Sequence, residues 1–270
     1  LPLLESAIAA SIPERRVGYA GLARMKDEKA DALLARELTK LDASLIPAEV
    51  ALDLVIACEK RDVDALKTLV AARATKRELD PKVAKYADSA YGGDVAKGRD
   101  IFRGKGELEC LRCHVVAGEG GVVGPALDAV GTRNSRFALL ESICDPNRTF
   151  ATGYQGTVVF TTDGTPTEGL VIEDTPERVV VRKADGTQVD IPRTEIEGTK
   201  PGISSMPTNL VDHLSREEMR DLVEYLATLP AAPPAASSPS TSPDGATRAS
   251  SNGTAASNTS NPATTPEKKP

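Results

Sequence analysis

The chain has 270 residues, of which 40% are hydrophobic, and it carries a formal net charge of −6 at pH 7. This length accommodates two domains and a tail, and the apolar content is sufficient for hydrophobic cores. The acidic balance argues against a nucleic-acid-binding protein, which would present a basic face.

Residues 1–90 predict a helical region. Leucine, valine and alanine recur at helical spacing over 15–25, 30–41, 47–58 and 63–72. These lengths suggest HEAT-like helical repeats, which usually need further repeats or a capping neighbour for stability; a four-helix bundle is the alternative. Because the region contains no histidine, we expect a scaffold or docking surface there rather than a catalytic site.

The most informative motif of the chain follows a predicted helix over 93–102. Cys110 and Cys113 are separated by two residues and His114 follows at once, which is the local signature of covalent c-type haem attachment. The thiols can form thioethers with the haem vinyl groups, and His114 is then the proximal iron ligand. The alternatives are half of a zinc site, which needs further ligands, a dithiol redox pair or a chance match.

The residues that follow the motif resemble those of class I cytochromes c. Their order is Gly120, Gly121, Gly124-Pro125-Ala126-Leu127 and Gly131-Thr132-Arg133. The resemblance implies that the Pro125 carbonyl accepts a hydrogen bond from the other ring nitrogen of His114. It also implies that Leu127 packs on the haem face and that Arg133 lies near a propionate. A plain turn at Gly124-Pro125 and a solvated Arg133 are the alternatives.

An alternating pattern with a period of two occupies the stretch from about 153 to 200. After a helix predicted over 137–143, β-branched segments separated by turns that include Asp-Gly predict four strands. The predicted strands cover 154–161, 169–173, 178–183 and 187–191. We therefore predict a four-stranded β insertion where a class I cytochrome has a plain loop.

Met206 is the candidate for the second axial ligand. A methionine is the usual choice in class I cytochromes, and Met206 precedes Pro207 on a predicted loop. Met25 lies in the helical region, and Met219 lies within the last predicted helix, where it most simply fills a core gap. His213 as ligand, or an open or water-filled position, are the alternatives.

The combined order of these features resembles the haem-binding domain of the Pirellula/Verrucomicrobium type over residues 91–229. The features are the haem motif, Asp145-Pro146-Asn147 with Gly153-Tyr154, the β insertion and Met206-Pro207. In that family the domain often follows helical repeats and a dehydrogenase propeller. The resemblance implies an electron relay from a fused or partner dehydrogenase to an acceptor.

The last predicted helix covers 215–226, with Ser215 as N-cap and a glutamate three residues later. Because the first and last helices of class I cytochromes cross, the resemblance implies that Gly98 packs against Leu222 and Tyr225. A glycine at such a crossing lets the two backbones approach closely.

The predicted fold is mainly α with a small β insertion. It consists of HEAT-like helical repeats over 1–90, a class I cytochrome c fold over 91–229 and a disordered tail over 230–270. The tail is rich in alanine, serine, threonine and proline, so it cannot bury enough apolar surface to offset the entropy of ordering.

The sequence thus predicts a c-type cytochrome that transfers electrons through one covalent haem c, with iron bound by His114 and Met206. A haem enzyme or ligand sensor with an open distal position, and an interaction module built on the helical repeats, are the alternatives. We expect the domain itself to be non-catalytic, with a redox partner protein or a fused dehydrogenase as its partner and no nucleic acid.

The haem assignment also implies a location, because maturation of c-type cytochromes takes place outside the cytoplasm. We therefore expect a periplasmic or otherwise extracytoplasmic protein. No apolar run is long enough to cross a bilayer. The first residues lack a signal-peptide pattern, and since the chain begins with leucine we expect a processed product or a fragment.

A group of basic residues precedes and enters the motif: Lys97, Arg99, Arg103, Lys105 and Arg112. It is either a solvated helix face or a surface that steers an acidic redox partner. The remaining cysteines, Cys58 and Cys144, are predicted to be buried and free, with an interdomain disulfide as the alternative.

Overall fold

The computed structural model describes residues 1–232, and within them helices carry most of the regular structure, which confirms the prediction of a mainly α fold with a small β component. The predicted tail lies outside the described residues except for its first three. The α-helices are α1 (Pro2–Ala7), α2 (Ile12–Arg24), α3 (Glu28–Asp42), α4 (Ala51–Lys60), α5 (Asp64–Lys76), α6 (Pro81–Tyr86), α7 (Val95–Gly104), α8 (Cys110–Cys113), α9 (Val130–Arg133), α10 (Arg136–Cys144) and α11 (Arg216–Ala227). Short 3₁₀ turns occupy Ala48–Val50, Ala87–Ser89, Arg193–Glu195 and Leu210–His213.

Helices α1 to α5 pack around a first hydrophobic cluster, in which Tyr19, Leu34 and Leu54 are fully buried. The helices predicted for this region are present as α2 to α5, with ends that shift by a few residues. Helix α2 begins earlier than predicted because Ser11 and Glu14 form a capping box at its N-terminus. The short helix α1 was not predicted, since six residues are too few for a helical period to show.

A second hydrophobic cluster is built mainly from α6, α7, α10 and α11. Val83, Tyr86 and Ala90 belong to it although they lie within the predicted helical region over 1–90. At the crossing of α7 and α11, a Cβ on Gly98 would overlap the Asp221 carbonyl and lie 2.7 Å from the Tyr225 Cβ. The predicted contact of Gly98 with Tyr225 is therefore present, and the crossing leaves no room for a side chain at residue 98.

Helix α11 begins at the predicted capping box. The Ser215 hydroxyl accepts a hydrogen bond from the Glu218 N–H (3.1 Å), and the Glu218 carboxylate accepts one from the Ser215 N–H (2.8 Å). These reciprocal bonds satisfy backbone donors that have no partner within the helix. The serine and glutamate spacing therefore marked the start of α11 correctly.

Both hydrophobic clusters belong to one compact unit. Arg216 donates to Glu59 (3.0 Å) and Arg220 donates to Asp53 (2.8 Å), so two ion pairs bind α11 to α4. The helical region is thus packed against the region that carries the Cys110, Cys113 and His114 motif.

Five antiparallel strands form the inserted sheet, in the order β6-β5-β4-β3-β7. A separate two-stranded ribbon follows the motif. The strands are β1 (Val115–Val116), β2 (Glu119–Gly120), β3 (Thr157–Thr161), β4 (Pro166–Asp174), β5 (Arg178–Arg182), β6 (Gln188–Pro192) and β7 (Ile196–Pro201).

The prediction of four strands in this insertion was wrong by one, because β7 was missed. Strand β7 has no buried residue and ends in a proline, so it lacks the apolar alternation that identified the others. It is an edge strand that pairs only with β3, a position where exposed side chains and proline are tolerated.

Across residues 1–232, no helix is both long enough and apolar enough to span a membrane.

Candidate functional site

The two motif cysteines begin and end the single-turn helix α8, and His114 leaves it in extended conformation. Residues three apart on a helix lie on the same side, so both thiols can face one ligand. The following loop folds back onto the motif, because the Gly124 N–H donates to the Cys113 carbonyl (2.8 Å) and the Leu127 N–H donates to the Val115 carbonyl (2.9 Å).

The imidazole of His114 is held in one orientation. Its Nδ1 lies 2.8 Å from the Pro125 carbonyl oxygen, which is the contact that the resemblance implied. Since a carbonyl only accepts, Nδ1 carries the proton of this hydrogen bond, and in the neutral ring the Nε2 lone pair is free to bind a metal. Burial lowers the pKa of His114 from its ordinary value, and the bond to Pro125 opposes this shift.

Gly124 packs directly against the same ring. A Cβ at this position would lie 2.6 Å from Cε1 and 2.8 Å from Nδ1 of His114. These separations are shorter than van der Waals contact, so any side chain here would displace the imidazole. Gly124 is needed because the backbone must approach the ring closely.

We expect Gly124→Ala to lower the free energy of unfolding by about 1–3 kcal/mol, the usual range for overpacking, and to disturb the orientation of His114. Denaturant unfolding and the absorption spectrum of haem-loaded protein measure these two effects. Gly106→Ala is the matched control, because a Cβ on Gly106 meets nothing within 4 Å. Equal stability and identical spectra for the two variants would contradict the importance of this contact.

A cavity of about 290 Å³ lies beside the motif, close to the lower end of the ~300–1,000 Å³ typical of ligand pockets. It brings together six of the seven residues proposed from the sequence: Cys110, Cys113, His114, Pro125, Leu127 and Met206. Most of the other lining is apolar and includes Phe102, Leu139, Ile143, Phe150, Leu170, Leu222 and Leu226. Neither Arg133 nor His213 is among the lining residues.

Arg133 is exposed, and its guanidinium donates to the carbonyls of Ala126 (2.9 Å) and Asp128 (2.8 Å). It therefore stabilises the backbone on either side of Leu127. The guanidinium of Arg133 contacts the loop that carries Leu127. Its proximity to a haem propionate stays a prediction.

The environment of the motif thiols does not favour dithiol redox chemistry. Burial raises the pKa of Cys110 to about 11 and also raises the pKa of Cys113. Redox-active cysteines require a lowered pKa, because the thiolate is the reactive form.

Met206 reaches the cavity from a loop that directly follows β7. Its own N–H donates to the Ser204 hydroxyl (3.1 Å), and the Ser204 N–H donates to the Asn147 side-chain oxygen (2.8 Å). Asn147 belongs to the loop after α10, whose Pro146 also lines the cavity. The sequence alone indicates no role for Asn147, although Asp145-Pro146-Asn147 belongs to the family resemblance.

The inserted sheet contacts the loops on both sides of the cavity. Arg182 of β5 donates to the Val122 carbonyl (2.8 Å), which lies two residues before Gly124. On the methionine side, the Gly202 N–H donates to the Gly156 carbonyl (2.8 Å). Leu170 of β4 also lines the cavity, a role that the alternation of the strand did not reveal.

A larger cavity, of about 460 Å³, lies between the two hydrophobic clusters and away from the motif. Its basic residues are already paired, since Arg16 contacts Asp53 at 3.3 Å and Arg136 binds Glu224. It lacks the thiols and the histidine of the smaller cavity, so we assign the chemistry to the smaller one.

Carboxylates pair with most of the basic group around the motif. The pairs are Arg99–Asp100, Arg103–Glu119, Lys105–Glu218 and Arg112–Glu109. This pairing favours the solvated helix face over a surface that attracts an acidic partner.

Cys58 and Cys144 are both buried and free, as predicted, and they lie in different hydrophobic clusters. Burial raises the pKa of each to about 12.

Within residues 1–232, no group of three or more histidine, cysteine or acidic side chains is arranged to hold a metal ion.

The residues around the cavity fit a covalently attached haem. Two thiols from one helical turn, an imidazole with Nε2 free and a thioether line the same largely apolar space. A His/Met-ligated haem c uses the same kinds of group for attachment and axial ligation.

Comparison with models of known protein families gives no match for this chain, and comparison with curated protein sequences gives none either.

Proposed function

We propose that this chain is a c-type cytochrome that transfers electrons through one covalent haem. The observation that supports the proposal most strongly is the convergence of Cys110, Cys113, His114 and Met206 on one apolar cavity. His114 and Met206 are 92 residues apart in the sequence, so their sharing a cavity is a property of the fold and not of a local motif.

Each residue has a distinct task in this proposal. Cys110 and Cys113 attach the cofactor through thioethers, and His114 binds the iron through Nε2. The Pro125 carbonyl fixes the tautomer of His114 and raises its basicity as a ligand. When bound, haem supplies a ferric/ferrous couple that gains and releases one electron.

The lining of the cavity favours electron transfer over catalysis at an open iron. Apart from Cys110, Cys113 and His114, the titratable side chains among the described lining residues are Glu109 and Tyr154. None of these lining residues is an arginine or a second histidine. Peroxide or oxygen chemistry depends on the polarity and hydrogen-bond donors of the distal pocket. A thioether from Met206 bound to the iron would leave no open position for such a ligand.

The proposal extends to the fold and the partners. We propose that residues 91–229 have the class I cytochrome c fold and that the helical region over 1–90 consists of HEAT-like repeats. A redox partner or a fused dehydrogenase supplies the electrons, in a periplasmic or other extracytoplasmic location. The ion pairs that bind α11 to α4 support a scaffold role for the helices.

Carbon monoxide binding to the reduced, haem-loaded protein tests the proposed function. We expect no spectral change within seconds of mixing, because Met206 would keep carbon monoxide from the iron. We also expect reversible one-electron reduction in a potentiometric titration. Immediate carbon monoxide binding would instead favour the ligand sensor or haem enzyme.

A further inference from the structure

We propose that Asn147 is a positioning residue that holds Met206 at the iron, an inference that rests on the proposed function. Asn147 does not line the cavity. It acts through a chain of hydrogen bonds that leads to the backbone of Met206, and the two links of that chain come from different parts of the fold.

The first link joins two loops that are 57 residues apart in the sequence. The Asn147 side-chain oxygen accepts a hydrogen bond from the Ser204 N–H at 2.8 Å. The Asn147 loop is itself fixed, because it follows α10 directly and its Pro146 is buried against the cavity. The methionine loop is thereby attached to the helical core as well as to the sheet.

The second link reaches the ligand residue. The Ser204 hydroxyl accepts a hydrogen bond from the Met206 N–H at 3.1 Å. Loss of the Asn147 oxygen would therefore free Ser204, and with it the acceptor that fixes the backbone of Met206. Residues that orient a metal ligand in this way typically change affinity 10–100-fold when they are replaced.

A neighbouring hydrogen bond provides a matched control. The Ile203 N–H donates to the Glu168 carboxylate at 3.3 Å, one residue before Ser204. Both partners of this bond are exposed, so water can replace the carboxylate. Asn147 and Ser204 are partly buried, where an unmade hydrogen bond is more costly.

The experiment measures replacement of Met206 by added imidazole in the ferric, haem-loaded full chain. The far-red band of methionine–iron ligation is the readout. We expect Asn147→Ala to bind imidazole about 10-fold more tightly than the parent protein. Ser204→Ala is expected to change in the same direction, and Glu168→Ala to remain close to the parent.

Asn147→Asp distinguishes positioning from a general loss of stability. Aspartate keeps a side-chain oxygen that can accept from Ser204, so we expect the far-red band and the imidazole affinity to be preserved. The potential is not the readout for this variant, because the added charge would shift it. All spectra are recorded well below the unfolding transition of each variant.

Two results would overturn the inference. Asn147→Ala could bind imidazole as weakly as the parent, or Glu168→Ala could lose Met206 as readily as Asn147→Ala. Failure of the proposed function is a separate result, because the parent protein itself would then lack covalent haem or the far-red band.

Discussion

Replacing Cys110 and Cys113 together by alanine is expected to abolish covalent haem attachment. Both thiols line the cavity and lie on one helical turn, so both are placed to form thioethers. Each single variant retains one thiol, and we expect it to bind haem covalently in lower yield. The measurement is the absorbance of haem that stays with the chain after denaturation and extraction with acidified organic solvent.

Cys58→Ala is the control for this experiment. Cys58 is buried in the other hydrophobic cluster, so its replacement tests whether the loss of any cysteine reduces haem yield through poor folding. We expect Cys58→Ala to keep haem covalently. Retention of haem by the double variant after denaturation would contradict the assignment of the attachment site.

The second large effect is expected for Met206→Ala, which should lower the reduction potential by on the order of 0.1 V or more, within the ~0.8 V range that axial ligands span. A thioether ligand raises the reduction potential. Met206 is the one residue with a thioether in the described loop from 204 to 207. We also expect loss of the far-red band and rapid binding of carbon monoxide. Potentiometric titration and absorption spectroscopy measure these changes.

Met25→Leu and Met219→Leu are suitable controls, because both side chains pack in hydrophobic clusters and leucine preserves the apolar contacts. Both controls should keep the far-red band. If Met206→Ala has the spectrum and potential of the parent, Met206 does not bind the iron, and the open-site alternatives gain support.

Local patterns predicted much of the secondary structure. Helical periodicity identified α2 to α5, α7, α10 and α11, and the capping box at Ser215 marked the start of α11. Helix α6 escaped prediction because it has six residues. Strand β7 escaped because none of its residues is fully buried and its sequence lacks an alternating apolar pattern.

The candidate site could be predicted where its residues form a local motif. Cys110, Cys113 and His114 are adjacent in the sequence, and Gly124-Pro125 follows closely, so their grouping needs little knowledge of the fold. Asn147 could not be assigned in this way, since its contact is with Ser204, far along the chain. A hydrogen bond between two distant loops leaves no periodic signal.

Charge patterns were the least informative. The basic group around the motif looks like a patch in the sequence, but its partners include Glu119 and Glu218, which only the fold brings near. Arg133 shows the same difficulty, because its guanidinium meets backbone carbonyls that composition and spacing do not indicate.

Tyr86 connects the region before the motif to the segment between Met206 and α11. Its buried hydroxyl lies within hydrogen-bond distance of the carbonyls of Val211 (2.6 Å) and Leu214 (2.8 Å). Together with the ion pairs between α4 and α11, this contact makes the preceding helices part of the support for the methionine side of the cavity.

Covalent haem in this chain is tested by the intact mass and the reduced absorption spectrum of the parent protein, produced in cells that mature c-type cytochromes. We expect a mass increase of one haem per chain that persists after unfolding, and the sharp visible bands of a reduced low-spin c-type haem. A chain with the mass of the unmodified polypeptide, from cells that mature a control cytochrome, would contradict it.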